Sequence, residues 1–219
     1  MPSSRYDAVL LDFRGILVHD REAEWWIDES LKEIGRTADA SERAEMATAL
    51  GRMSELPGYA ADEAQVDASL EANERIMRAR LNALGFDDEL AEAIRLLDFQ
   101  PRAWPVFPDV AEVVREIRAR GCRTALVSDF HADLRPHLIE NGMELDAYVI
   151  SFEHGWQKPD PRMFTTALEA LDVEASRALM VGDRASHDGG ASLVGIDTLI
   201  LPAPREFGPR GLDVVLRLL

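Results

Sequence analysis

From residue 106 onward, short apolar segments alternate with amphipathic segments of about ten residues. The apolar segments, such as residues 122–127 and 177–181, stop abruptly at small or acidic residues. A short apolar run bounded by turn residues is typical of a strand that is buried on both faces of a parallel sheet. Strands that alternate with helices in this way indicate βαβ units. We therefore predict an α/β fold built on a doubly wound parallel sheet.

The first strand of this sheet is predicted near the N-terminus. Residues 8–11 are apolar, Asp12 follows them directly, and Gly15 marks the turn beyond. Ligands of open parallel sheets bind outside the carboxyl ends of the strands, so Asp12 is expected at the mouth of a site. An aspartate at a strand end also serves as a turn residue in many proteins, and Asp12 alone fits either role equally well.

Residues 19–100, between this strand and the βαβ region, show no strand signals and are rich in Ala, Glu, Arg and Leu. Apolar residues recur there at helical spacing, and four successive helices are typical of a small bundle. We predict a catalytic core of residues 1–18 and 101–219, with residues 19–100 inserted as a helical domain that folds over Asp12. Within the insertion, helices are predicted over 22–34, 41–53 with Ser41 as N-cap, 62–84 and 87–97.

Charge and composition exclude several classes of function. The 24 Lys and Arg residues against 40 Asp and Glu give a net charge of −16, which argues against binding nucleic acid or an anionic membrane through a basic face. No stretch approaches about 18 uninterrupted apolar residues, and the N-terminus lacks an apolar signal segment. We expect a cytoplasmic protein without a membrane span. The single cysteine, Cys122, excludes an internal disulfide and is expected in the core.

Polar or reactive residues occur at four places after apolar segments. Each has an ordinary explanation, because serine caps helices, lysine is usually solvated and aspartate is common in turns. Their joint occurrence indicates one site, since the carboxyl ends of parallel strands converge. The residues are Asp12, Ser128 with Asp129, Lys158, and Asp183 with Asp188.

These segments resemble the four motifs of the haloacid dehalogenase-like hydrolase superfamily, in the same order. Asp12-Phe13-Arg14-Gly15-Ile16-Leu17 is similar to the first motif, D-x-D-G-[TV]-[LV]. Ser128 matches the second motif, Gln157-Lys158-Pro159-Asp160-Pro161 the third, and Gly182-Asp183 with Asp188 the fourth. The resemblance implies a Rossmann-like core, and the insertion at 19–100 resembles the α-helical cap of the first subclass.

The resemblance also implies a role for each matching residue. Asp12 would be the nucleophile, Ser128 would bind the transferring phosphoryl group, and Lys158 would neutralise its charge. To these we add Asp129, next to Ser128, as a substrate-binding residue, and Arg14 as a catalytic and substrate-binding residue, since a guanidinium is suited to a phosphate or carboxylate. Mg²⁺ would be held by Asp12, Asp183, Asp188 and the backbone carbonyl of Arg14. The implied substrate is a small phosphorylated or anionic metabolite.

Arg14 departs from the first motif, because the family's phosphatases carry their general acid/base aspartate there. Arginine keeps its proton at any ordinary pH, and acid/base help is worth about 10²–10⁴-fold in rate. The loss should be greatest for alkyl phosphates, whose leaving groups are poor. The guanidinium should weaken Mg²⁺ binding, and it is able to pair with Asp12 or Asp183 or to bind an anionic ligand. His19, Asp20 or a residue of the insertion is a candidate replacement for the proton shuttle.

Three hypotheses follow from this pattern. The first is a Mg²⁺-dependent, phosphatase-type hydrolase with an atypical acid/base arrangement. The second is a catalytically degraded relative that binds a phosphorylated ligand or a protein partner. The third is a hydrolase similar to 2-haloacid dehalogenases, which also lack the second aspartate and release a halide that needs no proton. The metal-binding motif at Gly182-Asp183 fits this third hypothesis poorly.

Overall fold

The computed structural model describes residues 5–219, which form a parallel sheet of five strands in the order β3-β2-β1-β4-β5. Every neighbouring pair of strands is parallel, so the predicted doubly wound α/β fold is confirmed. The central strand, β1, is fully buried, as its continuous apolar sequence requires. The strands are β1 (Ala8–Leu11), β2 (Arg123–Ser128), β3 (Ala147–Ile150), β4 (Ala178–Gly182) and β5 (Asp197–Ile200).

Helices cover both faces of the sheet and fill the segment between β1 and β2. We refer to residues 19–100 as the helical insertion. Its helices are α1 (Ala23–Glu33), α2 (Ala40–Gly51), α3 (Tyr59–Glu63), α4 (Leu70–Ala83) and α5 (Asp88–Leu97). The remaining helices are α6 (Val110–Ala119), α7 (Arg135–Glu140), α8 (Ser151–His154) and α9 (Pro161–Leu171), with 3-10 helices at Asp188–Val194 and Leu212–Arg217 among others.

Side chains of β1 alternate between two cores. Val9 and Leu11 pack on the face covered by α6, whereas Ala8 and Leu10 pack on the face covered by α9. This alternation follows from the two-residue period of a strand. With both faces buried, the register of β1 is fixed and its carboxyl end presents Asp12 at one edge of the sheet.

The helical insertion has an apolar core of its own, in which α1 contacts both α2 and α5. Many of its members are long aliphatic side chains at helical spacing. Those buried side chains include Ile27, Leu31, Leu81, Leu90 and Ile94.

Two details of the insertion differ from the sequence-based expectations. Asp39, rather than Ser41, caps α2, because its carboxylate accepts the backbone N–H groups of Ser41 and Glu42 in a capping box. The helix predicted over 62–84 is wrong as a single element. It is divided into α3 and α4, and Ser69 caps the second part by accepting the N–H of Ala72. Between the two helices, Val66 and Asp67 turn inward and are buried.

Within residues 5–219, no helix combines the length and the hydropathy needed to cross a membrane.

Candidate active site

Asp12 stands at the carboxyl end of β1 and is only 7% exposed. Its backbone N–H donates to the carbonyl of Val181 on β4, which holds the residue between the two strand ends. Its carboxylate Oδ1 accepts the backbone N–H of Phe13 at 2.7 Å. The local chain therefore fixes the carboxylate in position before any substrate arrives.

Lys158 lies between two carboxylates. Its Nζ is 2.8 Å from Oδ1 of Asp12 and 2.7 Å from Oδ1 of Asp188, and the side chain is buried. Its backbone N–H donates to Oδ1 of Asp129 at 2.8 Å. Burial acts to lower the pKa of Lys158, but Asp12 and Asp188 outweigh it and raise the pKa above its usual value. Lys158 is thus a permanent positive charge beside Asp12.

Three carboxylates converge beside this lysine. One oxygen from each of Asp12, Asp183 and Asp188 lies within 4.8 Å of the others. Oδ1 of Asp183 is buried, and no group among residues 5–219 forms a hydrogen bond with it. A buried, unpartnered carboxylate oxygen among other carboxylates fits a hard cation, and oxygen ligands are those that Mg²⁺ prefers. The donor set therefore fits Mg²⁺.

Two glycines leave space for these acids. A Cβ at Gly182 would overlap the carboxylate of Asp188, and a Cβ at Gly15 would lie 2.6 Å from Oδ2 of Asp183. Gly15 also has a φ of +71°, a conformation that other residues rarely adopt. The glycines of the first and fourth motifs are thus required by the packing of the acidic cluster.

Burial and mutual repulsion change the acidity of the cluster. Burial raises the pKa of Asp12 to about 7, against the opposing effect of Lys158, and the charge of Asp188 adds to the increase. Burial likewise raises the pKa of Asp129 to about 6, opposed by Lys158. The pKa of Asp183 is also raised, by burial and by the charge of Asp188. A bound cation would lower these pKa values by its positive charge.

Arg14 points away from this cluster and pairs with neither Asp12 nor Asp183. Its guanidinium lies 3.4 Å from Oδ2 of Asp67, a residue of the helical insertion. The same group stands over the rings of Trp104 and Phe130, at 5.2 and 5.4 Å from their centroids. The side chain remains 38% exposed.

Asp67 links the insertion to the core through both its side chain and its backbone. The carboxylate lies 3.0 Å from Nδ1 of His131, in addition to its pair with Arg14. The backbone N–H donates to Gln157, and the backbone carbonyl accepts the hydroxyl of Ser151 at 2.6 Å. Sequence reasoning missed Asp67 because it assigned this segment to one continuous helix. Ser69, as the N-cap of α4, was the signal that could have revealed the break.

A cavity of about 240 Å³ opens at this edge of the sheet. Asp188 is fully buried behind Lys158 and does not line it. Asp20 lines the cavity, whereas His19 is buried against the rings of Phe107 and Phe207. The site residues named from sequence that do line the cavity are Asp12, Arg14, Ser128, Asp129, Lys158 and Asp183. The insertion adds Tyr59, Asn73 and Arg80, among others.

Comparison with known proteins identifies relatives of this chain among hydrolases. A phosphoserine phosphatase of Thermus thermophilus is 36% identical over 128 residues, which are 56% of this chain and 51% of that protein. The chain spans about half the length of the curated relatives it matches.

Two solved structures share the fold over nearly the whole chain. The HAD-hydrolase YfnB from Bacillus subtilis, bound to magnesium, has a TM-score of 0.69 at 17% identity, covering 97% of this chain and 99% of that one. The 2-haloacid dehalogenase from Pseudomonas syringae has a TM-score of 0.62 at 22% identity, covering 97% of each chain. At these identities the likeness shows the fold alone.

The family described as haloacid dehalogenase-like hydrolase matches residues 6–192, which include Asp12, Lys158 and the acidic pair at Asp183 and Asp188. Since that match covers most of the chain and agrees with the parallel sheet and its carboxyl-edge cluster, this protein belongs to the haloacid dehalogenase-like hydrolases.

Proposed function

We propose that this hydrolase is a Mg²⁺-dependent phosphatase that acts through Asp12 on a small phosphorylated metabolite. The observation that carries the proposal is the position of Lys158, whose Nζ lies 2.8 Å from Asp12 and 2.7 Å from Asp188. A lysine held in this way orients the carboxylate of Asp12 and leaves a positive charge where phosphoryl oxygens would arrive. The phosphatase relative supports the substrate class.

The proposed reaction has two displacements. An oxygen of Asp12 attacks phosphorus, and the bond between phosphorus and the leaving-group oxygen breaks. Water then attacks the phosphorus of the aspartyl phosphate, the bond between phosphorus and the Asp12 oxygen breaks, and inorganic phosphate leaves the regenerated Asp12. A carboxylate nucleophile in this way divides one difficult displacement into two easier ones. Lys158 and the hydroxyl of Ser128 would hold the phosphoryl oxygens, while Asp129 fixes the backbone of Lys158.

Asp12, Asp183, Asp188 and the backbone carbonyl of Arg14 would hold the Mg²⁺. When bound, the ion supplies charge neutralisation for the transferring phosphoryl group. Because Arg14 is paired with Asp67, its charge is partly compensated by the insertion rather than opposed to the cation. We therefore expect Arg14 to weaken Mg²⁺ binding less than the sequence alone suggests.

Arg14 determines which leaving groups the enzyme accepts. Its pKa is raised above the usual value, because Asp67 and Asp98 outweigh the effect of burial, so it neither donates nor accepts a proton. The leaving group then departs as an anion, and substrates with stable leaving anions react faster. Asp20 lines the cavity and is the candidate base for the attacking water.

We also propose that residues 19–100 act as a cap over a core formed by residues 1–18 and 101–219. The bonds of Asp67 with Arg14, His131, Gln157 and Ser151 support this division, because they join the insertion to the edge of the sheet that carries Asp12.

Turnover of two substrates, one aryl and one alkyl phosphate, tests the proposal. We expect Mg²⁺-dependent hydrolysis of the aryl phosphate by the wild type and none by Asp12→Asn. Arg14→Asp should then increase alkyl phosphate turnover more than aryl turnover, by about 10²-fold or more if the proton donor is restored. No hydrolysis of either ester with Mg²⁺ present would contradict the proposal.

The pair between Arg14 and Asp67 favours a second function, that of a degraded enzyme that retains only binding. In that case the wild type is inert and Arg14→Asp activates it. A dehalogenase reaction would instead release halide from 2-haloacids. The unpartnered Oδ1 of Asp183 counts against it, because that chemistry has no need of a cation site.

A further inference from the structure

A second cavity, of about 320 Å³, adjoins the catalytic cavity on the side of the helical insertion. We call it the insertion cavity. The two share five lining residues, so a ligand held at Asp12 can extend from one into the other. The shared residues are Arg14, Asp20, Met53, Met77 and Asp98.

The walls of the insertion cavity are largely apolar and aromatic. Trp26 from α1 and Trp104 from the core meet edge to face, with ring centroids 5.6 Å apart. Trp26 is half-buried and offers part of a rigid apolar ring to an occupant, whereas Trp104 is buried and supports it. Aliphatic side chains from the insertion line the rest, and they are Leu50, Met53, Met77 and Ile94.

Charged residues of the insertion cavity are engaged with protein groups or lie at its boundary with the catalytic cavity. Arg95 is held by Glu92 at 2.6 Å, and Arg21 stands over the ring of Trp25. Arg14, Asp20 and Asp98 lie at the boundary, because they line both cavities, and Arg14 is the cation among them. An occupant would therefore have an apolar body in the insertion cavity and its oxygen near Arg14.

We propose that the substrates are aryl phosphates whose apolar leaving group occupies the insertion cavity, which rests on the phosphatase function proposed above. Two independent features favour aryl phosphates as the class of substrate. Arg14 supplies no proton, which favours an aryloxide over the more basic alkoxide of an alkyl ester. The cavity beyond Arg14 is largely apolar and is bordered by Trp26 and Trp104.

The bond changes are those of the proposed first displacement, with the leaving group specified. The bond from Asp12 to phosphorus forms and the bond from phosphorus to the aryl oxygen breaks. The electron pair stays on the aryl oxygen beside the guanidinium of Arg14, and the aryloxide then takes its proton from water. No oxidant or reductant is required.

A series of para-alkylphenyl phosphates tests the proposal, because the remote alkyl group lengthens the leaving group with little change in its acidity. We expect kcat/KM to rise about fourfold for each methylene from phenyl to propylphenyl phosphate. In Leu50→Asn the ratio between the propylphenyl and phenyl substrates should fall about tenfold. Leu96→Asn, which changes an exposed leucine outside both cavities, should leave the ratio unchanged.

Binding of the corresponding para-alkylphenyl phosphonates, measured by calorimetry with Mg²⁺, separates this inference from the phosphatase function. Affinity that rises with chain length in the wild type and less in Leu50→Asn supports the inference, with or without turnover. Turnover that is absent in spite of such binding contradicts the phosphatase function alone. The inference is overturned if the wild type does not bind the phosphonates, or if its affinity does not change with chain length. It is also overturned if affinity depends on chain length equally in the wild type and in Leu50→Asn. Met77→Gln, a second near-isosteric polar change, gives the same comparison if Leu50→Asn does not fold.

Discussion

Arg14 and Asp67 are 53 positions apart in sequence, and their side chains meet between β1 and the helical insertion. Burial acts to raise the pKa of Asp67, but His131 and Arg14 outweigh it and hold the pKa below the usual value. Asp67 is therefore charged at neutral pH, and its charge in the folded protein is stabilised by those two partners. A buried charge with partners of this kind is costly to leave unmatched.

We expect Asp67→Asn to reduce the free energy of unfolding by about 1–3 kcal/mol, because the amide leaves Arg14 and His131 without their carboxylate. Urea denaturation at neutral pH measures the change. Arg14→Met combined with Asp67→Asn should cost less than the sum of the two single changes. Glu45→Gln, an exposed carboxylate-to-amide change on α2, serves as the control. A loss no greater than that of this control would show that the contact contributes nothing.

Asp129 should make the protein less stable as pH rises toward neutrality. Its folded pKa of about 6 lies above its usual value of 3.8, so the folded state binds its proton more tightly than the unfolded state does. Stability from this group is thus lost between about pH 4 and 6 and is regained on acidification.

The check is urea denaturation in metal-free buffer at pH 7.5 and pH 5, with Asp129→Asn beside the wild type. The free energy of unfolding of the wild type relative to the variant should increase by about 1 kcal/mol at the lower pH. A difference that is independent of pH, or that decreases on acidification, would refute the assignment.

At the level of elements, residues 64–69 between α3 and α4 connect the insertion to the core. Gln157 binds this segment and the end of α3, because it accepts the N–H of Asp67 and donates to the carbonyl of Glu63. Ser151, at the start of α8, adds a third contact by donating to the carbonyl of Asp67. The position of the insertion over Asp12 therefore depends on a short loop as well as on the chain connections.

Gln157→Ala should loosen that loop without unfolding the helices around it. Loss of the two hydrogen bonds should increase hydrogen exchange of the backbone amides of residues 64–69 by about tenfold, with little change in α1 and α5. Exchange followed by mass spectrometry resolves the two regions. In Gln65→Ala, which removes an exposed glutamine from the same loop, exchange should stay close to that of the wild type. Equal exchange in both variants would show that Gln157 does not hold the loop.

This loop also shows which contacts the sequence alone does not predict. The strands, the glycines of the motifs and the strand-end residues were predictable, because their signals are local apolar runs and turn residues. The contact of Asp67 with Ser151 depends on residues 84 positions apart, and no local pattern carries that information. The pairing of Arg14 was undetermined for the same reason, since sequence offered Asp12 and Asp183 as partners and the structure supplies Asp67.

For the whole molecule, the net charge of −16 combines with a cluster of buried and half-buried carboxylates at the carboxyl edge of the sheet. Repulsion within that cluster opposes folding, and a bound divalent cation would remove it. Anything that binds only the folded state stabilises it by mass action. The acidic surface also attracts cations in general, and any salt screens the repulsion among its exposed charges.

We expect Mg²⁺ to raise the melting temperature beyond the effect of NaCl at equal ionic strength. The corresponding stabilisation is about 2.7 kcal/mol at a hundredfold excess over Kd. Asp183→Asn should abolish the Mg²⁺-specific part, because it removes the carboxylate with the unpartnered oxygen. Asp213→Asn, at an exposed position in the C-terminal 3-10 helix, should retain it. Equal increases in the melting temperature with Mg²⁺ and with NaCl would show that screening of surface charge alone accounts for the stabilisation.

Binding of beryllium fluoride tests the role of Asp12 without any knowledge of the substrate. This compound bonds to a carboxylate oxygen and imitates an aspartyl phosphate, so it requires the nucleophile, Lys158 and the cation but no leaving group. Fluorine NMR should show a bound signal for the wild type only when Mg²⁺ is present, and none for Asp12→Asn. A signal that persists in Asp12→Asn, or no bound signal in the wild type with Mg²⁺, would contradict the assignment of Asp12 as the phosphoryl-accepting nucleophile.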